Sequence, residues 1–260
     1  MIFATGSKGG VGTTTVALNL GVQLAMQARK KIALLDLARP FGQISMMLDL
    51  EPRFTILDAL ERIDRLDETL LPSLAMRHKT GVEILAGPLH APMKAEQRQS
   101  VTLAALVRLV EIASRVYEIV IVDLGVVNAA EWAPVLREAD KILLVAEPSV
   151  LALNMIARHT TVAQAAGLDP ARIHVVVNRW RQNDDEALNA FERDAGREVL
   201  TRLPNDYRQV TEAVTLGMPL VGSANNSLIA RYRELAAWVA EGAEGRLERL
   251  PQTAPFAVKS

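Results

Sequence analysis

Residues 5–15 read Thr5-Gly6-Ser7-Lys8-Gly9-Gly10-Val11-Gly12-Thr13-Thr14-Thr15, a glycine-rich run with one cation and several hydroxyls. Glycines let backbone N–H groups close around an oxyanion, and a helix opening directly behind them adds about half a positive charge. The run follows a short apolar strand, Ile2-Phe3-Ala4, and opens a helical pattern from Val16 to about Met26. Strand, glycine turn and helix in that order make an anion cradle. The ligand this chemistry suits is a phosphate.

Two phosphate-binding patterns compete for the run. The ordinary phosphate loop, G-x-x-x-x-G-K-[ST], fails at two places: Ser7 stands at its first glycine and Thr13 at its lysine. The T-G-x-x-x-G-x-G turn of short-chain NAD(P) dehydrogenases fits Thr5, Gly6, Gly10 and Gly12, with Asp36 available for a ribose hydroxyl. Those enzymes move a proton with a Tyr-x-x-x-Lys pair. Four residues after Tyr117, Tyr207 and Tyr232 stand Ile121, Thr211 and Ala236, so the pair is missing.

The elements that must carry these residues alternate along the chain. Apolar runs at 31–36, 82–86, 119–123, 141–146, 173–178 and 199–203 read as strands. Helical patterns fall at about 44–71, 101–115, 149–166 and 227–241, the last placing Leu228, Tyr232, Leu235 and Val239 on one face. Continuous apolar strands separated by amphipathic helices predict an α/β fold: a mostly parallel twisted sheet with helices on both faces. Residues 1–242 form the expected domain, and 243–260 an unpatterned tail expected to fray.

In such a sheet, ligands bind at the carboxyl ends of the strands. Asp36 and Asp123 end two of them and Asn178 a third. Asp123 suits the water shell of Mg²⁺, or equally a turn or helix cap. Gly125 could offer its N–H to a terminal phosphate or simply make a turn, and Asn178 could do no more than close a strand end. The four histidines, at 78, 90, 159 and 174, have no ligand-like spacing, so no metal beyond Mg²⁺ is expected.

Bulk composition bounds the classes. The chain has 260 residues, half of them hydrophobic, a formal charge of −1 and no cysteine. Thiol catalysis, disulfides and iron–sulfur ligation are excluded. No stretch reads as a membrane span or a signal peptide, which predicts a cytoplasmic protein.

The stretch Lys8-Gly9-Gly10-Val11-Gly12-x-Thr14-Thr15 resembles the deviant P-loop of the ParA/MinD ATPases, KGGVGKTT, and the likeness runs from Phe3 to about Ala240. The resemblance implies ATP or ADP with Mg²⁺. It sets Lys8, Gly9, Gly10, Val11, Gly12, Thr13, Thr14 and Thr15 around the phosphates, and Asn178, Arg179, Pro204 and Asp206 beside the base. Thr14, Asp36 and Asp123 fall to the metal, and Lys8 and Asp36 to catalysis. Lys8 takes the place of the signature lysine that crosses to a partner's nucleotide, which implies a homodimer on ATP binding. Two departures matter: Thr13 replaces the second lysine, and Ala38 replaces the later acid of an Asp-x-Asp that orients attacking water. A slow or silent ATPase is expected.

Within that family the chain most resembles the Tad-pilus assembly branch, the CpaE/TadZ-type proteins. The residues carrying this are Leu35-Asp36-Leu37 with Phe41-Gly42, then 48–52 and 65–71. The likeness implies pilus or secretion machinery as partner and recruitment to a pole or membrane complex through it. The family's alternative is a partition ATPase that binds DNA. Arginines between Asp169 and Arg208 are interspersed with acids, the pattern of a solvated face, so nucleic acid is not expected. MinD-like proteins hold membrane through a basic C-terminal helix. Residues 246–250 make one turn before Pro251, so no direct anchor is expected.

Overall fold

The structure, a computed structural model, describes residues 1–39, 42–88, 101–195, 198–222 and 226–242. Phe41, His90 and the 243–260 tail, with its 246–250 segment, lie outside these residues. The strands are β1 (Ile2–Gly6), β2 (Ile32–Asp36), β3 (Met76–Arg77), β4 (Glu83–Leu85), β5 (Ile119–Asp123), β6 (Lys141–Ala146), β7 (Ile173–Trp180) and β8 (Val199–Pro204). They form one sheet in the order β3-β4-β2-β5-β1-β6-β7-β8. Each pairing is parallel except β3 with β4.

Every residue of β1, β2, β5 and β6 is buried, as their largely apolar sequences suit strands covered on both faces. Alternation then divides the core. Phe3, Leu35 and Val122 point to one side, where α5 (Leu103–Val116), α6 (Ala133–Leu136) and α7 (Val150–Ala165) pack. Ile2, Ala4, Leu34 and Ile121 point to the other, against α1 (Thr13–Gln27) and α10 (Ser227–Ala240). α1 is uncharged and largely buried. Two of its buried polar residues are satisfied by the backbone of one residue: Asn19 accepts from the Leu220 N–H at 2.7 Å, and Gln23 donates to the Leu220 carbonyl at 3.0 Å.

The helical region expected at 44–71 is not one helix. It divides into α2 (Ile44–Met47), α3 (Ile56–Glu61), a 3₁₀ turn (Ile63–Arg65) and α4 (Leu70–Leu74). Asp49 adopts a left-handed φ of 50°, Pro52 follows, and Thr55 starts α3 afresh with a capping box closed by Asp58. Two helices were missed in the sequence although each keeps its apolar residues to one face, because polar residues outnumber them: α8 (Asp185–Ala195) and α9 (Tyr207–Thr215). Among the described residues no helix is long and apolar enough to cross a membrane.

β1 is central, and the strand order reverses at it: β5 and β2 lie to one side, β6 and β7 to the other. The crevice at its carboxyl end is where an open parallel sheet binds ligands.

Candidate functional site

The glycine run leaves β1 at this reversal. Its first residues are pinned to the neighbouring strands, Gly6 N–H to the Gly125 carbonyl (2.7 Å) and Ser7 N–H to the Val145 carbonyl (2.8 Å). Gly12 then caps α1 in the left-handed region, φ 92°, with no side chain closing the helix's first N–H groups. A fifteen-residue helix with an open, acid-free first turn at the sheet's switch point is an anion site. A Cβ at Gly9 or Gly10 would meet nothing within 4 Å, so the mouth of the loop is open.

Below the loop the packing is close. Asn178 is buried, and its amide donates to the Val11 carbonyl at 2.8 Å, against Gly12. Its one donating nitrogen therefore braces the loop. Thr13 is buried as well; its Oγ1 lies 2.6 Å from where a Cβ of Gly6 would stand. The hydroxyl at the usual lysine position thus points back into the loop. His159 of α7 reaches the Ser7 carbonyl at 3.1 Å, a brace that no sequence pattern announced.

Asp36 and Asp123 end adjacent strands in direct register, and both are wholly buried. Asp36 accepts from the N–H groups of Ile44 (3.0 Å) and Ala38 (3.3 Å). Burial, and then the Asp123 charge, push its carboxyl up to about 7 despite those hydrogen bonds. Burial raises Asp123 also, while the Thr14 hydroxyl and the Gly125 N–H pull it down. Its Oδ1 accepts from Gly125 at 3.0 Å, whereas Oδ2 has no hydrogen-bond partner. The Gly125 N–H is thus engaged by Asp123, and its carbonyl holds Gly6. Ala38 faces Gly125 with only a methyl group.

Two buried carboxylates with an open oxygen beside a threonine hydroxyl are a donor set for a hard divalent cation. Mg²⁺ fits them: Thr14, Asp36 and Asp123 supply oxygen only. No cluster of three or more His, Cys, Asp or Glu suited to a metal occurs among the described residues. A cation here would complete its shell from bound phosphate and water.

The base-side residues are distributed as follows. Arg179 has a left-handed φ of 59° and pairs with Glu147. Pro204 ends β8 opposite Trp180, and Asp206 caps α9 through the Gln209 N–H. The Trp180 indole is held by Asp185 at 3.1 Å. Lys8 also pairs with Glu147. Sequence reading passed over Glu147, which lies one residue past the end of β6; the strand-end rule that found the aspartates reaches it only when extended by one position.

A model of the CobQ/CobB/MinD/ParA nucleotide binding domain matches residues 2–220. The septum site-determining protein MinD of Thermotoga maritima is 23% identical over 243 residues, 91% of this chain and 86% of that protein. A solved ParA family ATPase from Chlorobium tepidum TLS superposes with a TM-score of 0.81 at 22% identity, covering 91% of this chain and 98% of its own. MinD complexed with Mg-ADP from Pyrococcus horikoshii OT3 gives 0.74 at 21% identity, covering 92% and 95%. The structural likenesses establish the same fold, an eight-stranded, mostly parallel sheet between helices.

Proposed function

The chain belongs to the CobQ/CobB/MinD/ParA nucleotide-binding family, and from that membership we propose that it is a magnesium–nucleotide switch: it binds ATP, turns it over slowly and pairs with a second copy while ATP is bound. The observation that carries this reading is the buried Asp36–Asp123 pair, with one unpartnered oxygen, directly behind an open glycine loop.

The N–H groups from Gly9 to Thr14 would hold the phosphates, and Thr14, Asp36 and Asp123 the metal. Bound Mg²⁺ would neutralise phosphate charge. Lys8 is the loop's only cation and, half-exposed, is free to reach beyond its own chain once released. Two features slow turnover without abolishing binding. Thr13 brings no charge to the phosphates, and Ala38 cannot orient a water. Losing one preorganised charge or positioning group costs on the order of a hundredfold or more in rate.

The task of the switch, on this reading, is to position the assembly machinery of a pilus or secretion apparatus. That part rests on the Tad-type likeness of Leu35-Asp36-Leu37 and the segments at 48–52 and 65–71. A second reading draws on the likeness to a ParA family ATPase: a partition protein that holds DNA. The interspersed charges of α8 and β8, where Arg202 pairs with Asp185 and Glu192, weigh against it. Salt-sensitive retention on duplex DNA would favour the second reading.

Sedimentation with Mg²⁺ and a non-hydrolysable ATP analogue tests the switch. A monomer-to-dimer shift that needs the analogue and is lost in Lys8→Ala is expected. A Lys8→Ala protein that still dimerises would refute the role given to Lys8.

A further inference from the structure

Three residues far apart in the chain meet at the carboxyl edge of the sheet because β1, β6 and β7 are consecutive neighbours there. Lys8 stands two residues beyond β1, Glu147 directly follows β6, and Arg179 is the next-to-last residue of β7. Glu147 Oε1 pairs with the Lys8 ammonium, and its Oε2 with the Arg179 guanidinium at 3.7 Å. A single carboxylate thereby engages the lysine of the glycine loop and the arginine that follows Asn178.

The arrangement is built rather than casual. Glu147 sits on a tight turn into α7: the Ser149 N–H donates to its carbonyl at 2.8 Å, and the Ser149 hydroxyl caps the helix through Ala152. Arg179 reaches it from a left-handed backbone, φ 59°, where the β7–β8 register shifts. A non-glycine residue resists that conformation, so the fold bears a cost to hold Arg179 there. Glu147 itself is three-quarters covered, its side chain 24% exposed.

We propose that Glu147 is an internal stand-in for phosphate. In the nucleotide-free chain it holds the lysine of the loop and the arginine at the base edge, both of which a bound nucleotide would draw, so nucleotide binds by displacing a carboxylate. This rests on the glycine loop being a nucleotide site, and it deepens that reading. Until the ligand arrives, Lys8 is tethered within its own chain and cannot serve a second copy. When nucleotide leaves, Glu147 takes the cations back. It is a positioning residue, acting through Lys8 and Arg179.

The test is Glu147→Gln, which keeps shape and removes the charge, with Glu147→Ala as the second variant. Titration with Mg²⁺ and a non-hydrolysable ATP analogue should give a Kd about three- to tenfold tighter than wild type, tenfold being about 1.4 kcal/mol. The gain should shrink in a Lys8→Ala background, whereas a diffuse field effect of one lost charge would persist there. Without nucleotide, acylation of Lys8 followed by mass spectrometry should run at least threefold faster in Glu147→Gln. That readout needs no ligand and does not move for a merely structural role. A wild type that binds, beside variants that bind no tighter, overturns the stand-in alone. Failure of wild type and variants alike to bind overturns the nucleotide reading itself.

Discussion

Asp36→Asn should make the ligand-free protein more stable at pH 8 and no more stable at pH 4. The wild-type carboxyl titrates near 7 in the fold, against 3.8 when unfolded. Well below pH 4 it is protonated in both states, and at pH 4 the two states have only begun to differ. As pH rises from about 4 to about 7, the folded chain keeps a proton that the unfolded chain has lost, so stability falls across that window and then levels. Holding the carboxyl near 7 instead of 3.8 costs about 4 kcal/mol once both states are ionised. Asparagine removes that penalty but, with one acceptor oxygen, satisfies only one of the Ile44 and Ala38 N–H groups, which costs about 1–2 kcal/mol. The net gain at pH 8 is about 2–3 kcal/mol, or roughly 4–12 °C in a chain of this length. Thermal denaturation in a chelator, without nucleotide, reads it directly. The same substitution should abolish any stabilisation by Mg²⁺ at pH 8. If Asp36→Asn is as destabilised at pH 8 as at pH 4, the buried charge is not what strains the empty site.

Thr13→Lys should return a cation to the loop and raise phosphate release about ten- to a hundredfold; unchanged turnover would place the deficit at Ala38 instead. Asn178→Ala leaves the Val11 carbonyl buried without its 2.8 Å donor, which costs about 1–3 kcal/mol, so both melting point and nucleotide affinity should fall. Were affinity to hold while the melting point fell, Asn178 would be a brace for the fold and not for the loop.

What was legible in the sequence follows from how each feature is encoded. The buried parallel strands were plain because a strand covered on both faces needs an unbroken apolar run, as in Ile119-Val120-Ile121-Val122. The carboxyl-edge aspartates were found by position alone, at the last residue of β2 and β5. The region at 44–71 misled because its leucines suit several short helices as well as one long one, and the breaks at Asp49 and Pro52 are local. β3, two residues long, is defined by its partner β4 and not by its own pattern. The contacts that shape the loop escaped for a different reason. Asn178 to Val11 spans 167 residues and His159 to Ser7 spans 152, and only the sheet order brings them together. Glu147 meeting Lys8 and Arg179 depends on the same order.

The measurement that bears most directly on the account is calorimetric titration of the wild-type chain with ATP, with and without Mg²⁺. Saturable heat at sub-millimolar nucleotide that requires Mg²⁺ and disappears in Asp123→Asn is the predicted result. Millimolar Mg-ATP producing neither heat nor a rise in melting temperature would contradict it.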